Sequence, residues 1–171
     1  MDNNQLTHES HKNSAITRDI ILLCDHVKSP ANIGAIFRLA DAFAVSEVIF
    51  CGTNIDLTSS RLKKTARNTQ ENVRFHESET PIKKLKELHT KGYTSIALEI
   101  TSQSMPIHSF DVTVYDKLVL AIGDERHGIS PEVLNSIHHT LHIPMYGHNS
   151  SMNVAQATAI ALYNLRVEVT K

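Results

Sequence analysis

The chain has 171 residues, enough for one folded domain with a proper hydrophobic core. Acidic and basic residues nearly cancel at a formal net charge of −1, so no overall positive field points to nucleic acid, and any basic surface must be local. The 2 cysteines lie in apolar runs, which favours buried thiols over a disulfide framework, and the longest apolar runs are too short to span a bilayer. We therefore expect a cytoplasmic protein with neither secretion nor membrane insertion.

Residues 1–18 are polar and lack periodicity, which predicts a flexible tail ahead of one domain over residues 19–171. Beyond the tail, short apolar runs alternate with helical patterns. Continuous apolar runs separated by helices are typical of parallel strands that are covered on both faces. We therefore predict an α/β fold, with strands at residues 20–24, 47–51, 95–100, 118–123 and 141–144.

Helical spacing of apolar residues follows the first predicted strand, from Ile33 to Ala44, with Asn32 as a plausible N-cap. A second helix is predicted at residues 81–90, because proline favours a first turn and glycine follows a helix end. Two further helices are predicted at 131–138 and 152–165. The last is rich in alanine, which allows close packing against a neighbouring helix.

Three segments carry patterns that match one known family. They are SPANIGAIFRLADAF at residues 29–43, GDERHGIS at 123–130 and IPMYGHNSSMNVAQATAIALY at 143–163. Together they combine Asn-x-Gly-x-x-x-Arg, Gly-x-Glu-x-x-Gly, and Ile-Pro-Met followed by Ser-x-Asn. In this order and at these spacings, the chain resembles the SpoU (TrmH-like) RNA 2'-O-ribose methyltransferases of the SPOUT class. The resemblance spans nearly the whole predicted domain.

The resemblance implies a mostly parallel sheet flanked by helices, with a trefoil knot in its C-terminal part. It also implies S-adenosylmethionine bound in the knot and a homodimer that completes the site. Composition and periodicity do not predict a knot, which general topology rules make very improbable. The resemblance assigns catalytic roles to Asn32, Arg38, Glu125, Ser151 and Asn153, and cofactor binding to Leu98, Glu99, Gly123, Ile143, Met145 and Met152.

Each of these residues also has an ordinary structural interpretation. Arg38 lies off the apolar stripe of its helix, where it can pair with Asp41 three residues later. As a catalytic residue, it either acts as a base with help from an RNA phosphate or stabilises the developing alkoxide. The sequence does not separate these two roles. Asn32 can cap its helix and take part in the active site at once.

The second and third segments have structural alternatives too. Gly123 ends a buried strand, where the chain can turn sharply and present its backbone to a ligand, or can simply enter an ordinary loop before the next helix. Ser151 and Asn153 stand where a helix begins, so capping alone would also explain them. Leu98 and Glu99 match the position where a strand of the family meets the cofactor. The match depends on Ala-Leu-Glu, a common triplet, so a simple strand end explains these residues as well.

The sequence thus predicts S-adenosylmethionine-dependent methylation of a ribose 2'-hydroxyl, with tRNA preferred to rRNA as the substrate. A binding module that kept the fold but lost catalysis is the alternative from another functional class. The best local basic cluster would contact RNA phosphates, although a solvated helix face explains any single member as well. This cluster consists of Arg61, Lys63, Lys64 and Arg67.

Two departures from the family pattern stand out, since the family usually has glycine where this chain has Ala44 and leucine where it has Met152. Both concern packing more than activity. Histidines at positions 138, 139 and 142 form a compact group in the sequence, but the chain has no His-Glu-x-x-His pattern. We therefore expect no metal site.

Overall fold

The computed structural model of the chain describes residues 18–167, in which seven parallel strands form one sheet. The order across the sheet is β3-β2-β1-β6-β4-β7-β5. The strands are β1 (Asp19–Asp25), β2 (Glu47–Cys51), β3 (Phe75–Ser78), β4 (Thr94–Leu98), β5 (Met105–Pro106), β6 (Lys117–Ile122) and β7 (His139–His142). The predicted parallel α/β class is confirmed, and the trefoil knot stays a prediction.

Helices cover both faces of this sheet. They are α1 (Pro30–Ala42), α2 (Ser60–Ala66), α3 (Pro81–Thr90), α4 (Pro131–Leu134) and α5 (Val154–Arg166). Buried residues of α1, α2 and α5 pack in one core cluster, whereas those of α3 and α4 pack in a second. Strand β1, an inner strand, contributes residues to both clusters, because alternate side chains of a strand point to opposite faces.

The two cysteines follow this alternation. Cys24 belongs to the first core cluster and Cys51 to the second, so the two thiols lie on opposite faces of the sheet. Both are free and buried. Burial, with a smaller effect of the Asp25 carboxylate, raises the pKa of Cys51 to about 12. The predicted buried thiols are confirmed.

Several predicted boundaries need correction. Ser29 occupies the N-cap position of helix α1, without a capping bond from its side chain, and the helix begins at Pro30, so Asn32 lies inside the first turn and is not the N-cap. The third predicted helix ends at Leu134 instead of 138, and the last one begins at Val154 instead of 152. Burial of Asn32 explains the first error, because its side chain turns inward to other polar groups instead of to its own helix.

Three elements lack a clear signal in the sequence. The edge strands β3 and β5 are short and only partly buried, so neither shows a continuous apolar run. Helix α2 buries only two residues and is otherwise polar. The third predicted strand, 95–100, ends at Leu98, which leaves Glu99 in the following loop.

Most of the predicted tail, residues 1–17, lies outside the described residues. Arg18, its last residue, is buried, and its Nε donates a hydrogen bond to the carbonyl oxygen of Val112 at 3.2 Å. Its own carbonyl accepts a hydrogen bond from Arg166. The folded region therefore includes residue 18. Over residues 18–167, no helix has the length and apolar character needed to cross a membrane.

Candidate active site

A cavity of about 620 Å³ opens where the neighbouring strands β6, β4 and β7 end. In open α/β sheets, ligands bind at this carboxyl edge. Three loops build the walls: the segment after β4, residues 123–130 after β6 (the β6 loop) and residues 144–152 after β7 (the β7 loop). All six predicted cofactor residues line the cavity, namely Leu98, Glu99, Gly123, Ile143, Met145 and Met152.

The β6 loop folds back on itself. Asp124 and Gly128 exchange backbone hydrogen bonds of 3.1 and 3.0 Å, and the Asp124 side chain accepts bonds from the backbone N–H groups of Arg126 and His127. Burial raises the pKa of Asp124, but these bonds and the His127 ring outweigh it and leave the pKa below its usual value. The loop is therefore a closed, internally bonded unit.

Gly123 is required by this closure. A Cβ atom at position 123 would overlap the backbone of Gly128 and Ile129, because the returning chain passes directly over the end of β6. Gly123 is thus needed for the fold of its own loop, and its backbone also lines the cavity. The sequence predicted a glycine that presents backbone to a ligand, but not this contact within the chain.

The β7 loop supplies the opposite wall, with Met145, Ser151 and Met152. It ends at Asn153, whose side chain accepts hydrogen bonds from the backbone N–H groups of Ala155 and Gln156 at 2.9 and 3.3 Å. The predicted capping role of Asn153 is confirmed. Ser151 is exposed and lines the cavity.

Asn32 joins the three family segments. Its Nδ2 donates to Oε1 of Glu125, at the tip of the β6 loop, and its Oδ1 accepts from Nδ2 of Asn153 at 2.9 Å. Only 8% of Asn32 is exposed. A buried amide with both ends satisfied fixes the positions of its partners. Helix α1 thus holds the β6 loop and the start of α5 together at the mouth of the cavity.

Two predicted catalytic residues, Asn32 and Arg38, do not line the cavity, and of these Arg38 has no hydrogen bond with a described residue that does. Arg38 is exposed, and its predicted ion pair with Asp41 is not formed. Successive helical residues are about 100° apart, so six residues after Asn32 the side chain leaves α1 in another direction. Arg38 makes no hydrogen bond or ion pair with other described residues.

The predicted basic cluster lies on α2 and at its end. Arg61, Lys63, Lys64 and Arg67 are all exposed and all outside the cavity lining. Helix α2 packs tightly on α1, since a Cβ at Gly34 would overlap Thr65 and the Leu62 carbonyl. The cluster is therefore fixed to the same helix that carries Asn32 and Arg38.

Sequence reasoning missed Asp25, which is 1% exposed at the end of β1. One carboxylate oxygen of Asp25 accepts a 2.8 Å hydrogen bond from the backbone N–H of Ser130, at the end of the β6 loop. The available signal was an acidic residue directly after five apolar residues of a buried strand. A charged group there needs a buried partner.

The three histidines that are close in sequence separate in space. His138 bonds to Ser95 and its ring contacts that of His89 in a tilted arrangement, with ring centroids 4.3 Å apart, whereas His139 bonds to Tyr115. His142 bonds to Ser104. Within residues 18–167, no group of three histidine, cysteine or acidic side chains could hold a metal ion.

A parallel sheet flanked by helices, with a cavity shared by the ends of three adjacent strands, defines an α/β protein whose candidate site lies at the carboxyl edge of its sheet. The sequence profile of the SpoU rRNA Methylase family matches residues 19–163. The chain therefore belongs to the SpoU rRNA methylase family.

Individual relatives agree with this placement. A tRNA (guanosine(18)-2'-O)-methyltransferase of Aquifex aeolicus is 29% identical over 147 residues, which are 85% of this chain and 68% of the relative. A 23S rRNA (guanosine(2553)-2'-O)-methyltransferase of Bacillus subtilis is 28% identical over 149 residues, or 85% of this chain and 57% of the relative. The chain thus spans little more than half the length of the second relative.

Solved structures show the same fold. The A. aeolicus TrmH/SpoU tRNA modifying enzyme superposes with a TM-score of 0.77 at 28% identity, covering 88% of this chain and 76% of that one. An AdoMet-bound rRNA methyltransferase of Sinorhizobium meliloti gives a TM-score of 0.78 at 24% identity, covering 86% and 56%. The second likeness supports the fold alone.

Proposed function

We propose that this protein transfers a methyl group from S-adenosylmethionine to a ribose 2'-hydroxyl of RNA. The observation that carries the proposal is the bond pattern of Asn32, which brings Glu125 and Asn153 to one cavity mouth. Three segments that are distant in the chain thereby form one site. The named methyltransferase relatives support the same reaction.

The cavity suits S-adenosylmethionine in size and lining. Its volume of about 620 Å³ lies within the usual range for small-molecule sites. Leu98, Ile143, Met145 and Met152 would give an apolar wall, and the backbone of the β6 loop from Gly123 onward would give polar contacts. When bound, S-adenosylmethionine supplies a methyl group that is already activated on a sulfonium centre.

The residues of the chain then place the ribose and stabilise charge. Asn32 holds Glu125 and Asn153 in fixed positions beside the cavity. The apolar wall excludes water that would compete with the ribose oxygen. The ribose oxygen would form its bond to the methyl carbon as the carbon–sulfur bond breaks, and its proton would pass to solvent at the open mouth of the cavity. A guanidinium at Arg38 would stabilise the negative charge that develops on that oxygen.

Arg38 does not line the cavity of its own chain, and we propose a homodimer in which it reaches the cavity of the partner subunit. Ala155 and Ala161 of the alanine-rich α5 are buried in the chain's own core, so they cannot form the contact between the subunits. The outer side of α5 instead exposes Ile160 and Tyr163, at 41% and 62%. Light scattering at micromolar concentration tests this proposal, and a monomer would contradict it.

For the substrate we propose tRNA. The Aquifex relative, which acts on tRNA by its name, is matched over a larger share of its length than the rRNA enzyme of Bacillus. Exposed cations on and just after α2 would contact RNA phosphates beside Arg38. Replacing Lys63 and Lys64 by alanine should raise the KM for RNA, whereas replacing Lys83 and Lys86 on α3, on the opposite face of the sheet, should leave it unchanged.

Labelled S-adenosylmethionine, incubated with the protein and either bulk tRNA or bulk rRNA, tests the reaction directly. We expect label in tRNA, recovered as a 2'-O-methylated nucleoside after digestion. Arg38→Ala should abolish the transfer and leave the affinity for S-adenosylmethionine within about threefold, because Arg38 is proposed to act on the ribose oxygen while the residues that line the cavity stay unchanged. Cofactor binding without transfer to any RNA would instead favour the non-catalytic binding module.

A further inference from the structure

We propose that Asp25 and Glu99 are positioning residues which hold the β6 loop in the shape that binds S-adenosylmethionine. We call these two residues the carboxylate pair. The proposal rests on the proposed function only for the identity of the ligand. Neither residue needs to touch the reacting atoms to act in this way.

Glu99 holds the loop from the β4 side. Its Oε2 accepts a hydrogen bond from the backbone N–H of Ile129 at 3.2 Å, and its Oε1 accepts one from Ile100 at 3.0 Å. Gly128 makes this approach possible, because it adopts a positive φ of 68° and a Cβ there would overlap Glu99 Oε2. Both oxygens of Glu99 are therefore engaged with backbone donors.

Asp25 holds the loop from the β1 side. Its Oδ2 accepts the backbone N–H of Ser130 at 2.8 Å, and its Oδ1 lies 2.6 Å from Nδ1 of His26. Strand β6 lies between β1 and β4 in the sheet, so the carboxylate pair reaches two successive N–H groups from the two neighbouring strands. The exit of the loop is fixed on both sides.

The loop depends on this anchorage because, apart from the bond of Glu125 to Asn32, its other bonds are internal. The bonds of Asp124 close residues 124–128 into one unit, but they do not fix that unit relative to the sheet. Strand β6 sets its start, Asn32 holds its tip at Glu125, and the carboxylate pair sets its end. Loss of one carboxylate should therefore tilt the closed unit, which lines the cavity, without unfolding it.

Replacing each carboxylate by the corresponding amide should affect the two members of the carboxylate pair differently. Glu99→Gln keeps one acceptor but turns an NH₂ group toward a second backbone N–H, so one of the two bonds is lost. Asp25→Asn can keep both contacts, because neutral His26 can accept at Nδ1 while the amide oxygen faces Ser130. Backbone N–H groups cannot change from donor to acceptor, whereas an imidazole nitrogen can.

Calorimetric titration with S-adenosylmethionine, together with steady-state kinetics on RNA, tests the proposal. We expect Glu99→Gln and Asp25→Ala to raise the Kd about tenfold, and Asp25→Asn to change it less than about threefold. The KM for S-adenosylmethionine should follow the Kd, while kcat at saturation and the KM for RNA stay within about twofold. Glu132→Gln, at an exposed position on α4, is the matched control and should bind like the wild type.

Hydrogen exchange of the ligand-free protein gives a readout that does not depend on the cofactor. Peptides covering residues 123–130 should exchange faster in Glu99→Gln than in the wild type, with the rest of the sheet unchanged. Wild-type affinity together with wild-type exchange in Glu99→Gln would overturn the proposal. So would a lowered melting temperature with an unchanged KM, which would indicate a merely structural role.

The same measurements distinguish failure of this proposal from failure of the proposed function. If the wild type does not bind S-adenosylmethionine at all, the proposed function is wrong. The exchange experiment then still decides whether the carboxylate pair holds the loop.

Discussion

The two loops that face each other across the cavity are held in very different ways. The β6 loop is closed by its own backbone bonds and anchored by Asp25, Glu99 and Asn32. Residues 144–152 of the β7 loop make no hydrogen bond with the part of the chain that the structure describes, and most of them are exposed. One wall is thus preformed, whereas the other is free to adjust to a ligand.

Replacing one glycine in each loop by alanine should show the difference between the two loops most clearly. Gly123→Ala should weaken S-adenosylmethionine binding by about 100-fold or more, because the new methyl group overlaps the returning backbone and must open the loop. Gly147→Ala is the matched change in the β7 loop, where a Cβ meets nothing within 4 Å. Calorimetric titration of both variants measures the difference, and equal losses of affinity would refute the contrast between the loops.

Asn32→Ala tests the link between the walls. It removes the bonds to Glu125 and Asn153 and leaves both groups without their partner, so we expect kcat to fall by about 10- to 100-fold. Affinity for S-adenosylmethionine should fall less, because the β6 loop keeps its other anchors. Single-turnover methylation assays measure the effect. Asn135→Ala, at an exposed asparagine, serves as the control, and the same loss there would argue against a specific role for Asn32.

A fall in pH should lower the stability of the protein through histidines at the amino-terminal ends of the strands, opposite the cavity. It should not change the difference between the two loops. Burial, with a smaller effect of the nearby His138, lowers the pKa of both His89 and His139 below the usual 6.5. The unfolded chain therefore binds protons more readily, and stability is lost as the pH falls below about 6.5 toward the folded-state pKa values. The melting temperature should fall by a few degrees, and less so in a His89→Gln, His139→Gln double variant.

Ala44→Gly should give the smallest effect. Ala44 follows the end of α1 and adopts a left-handed φ of 49°, a conformation that disfavours side chains with a Cβ. Glycine, which the family usually has here, should raise the free energy of unfolding by about 1 kcal/mol. Urea denaturation measures the gain. Residue 44 lies away from both loops. A change in cofactor affinity would therefore mean that the conformation at the end of α1 affects the β6 or the β7 loop.

Much of the fold and of the cavity could be predicted from the sequence. The five predicted strands all exist, because continuous apolar runs of that length are typical of buried parallel strands. All six predicted cofactor residues line one cavity, since the resemblance identified segments that follow strand ends. The edge strands β3 and β5 could not be predicted, because partial burial removes the apolar pattern on which such predictions depend.

The sequence by itself determined the α/β class, the three segments of the site and the family to which they point, because these depend on local patterns of residues. Only the tertiary structure decided which groups hold the site together. Asn32 and Glu125 are 93 residues apart, and Asp25 and Ser130 are 105 apart, yet each pair is bonded. Such contacts depend on the order in which strands pair, and no local pattern in a single chain encodes that order.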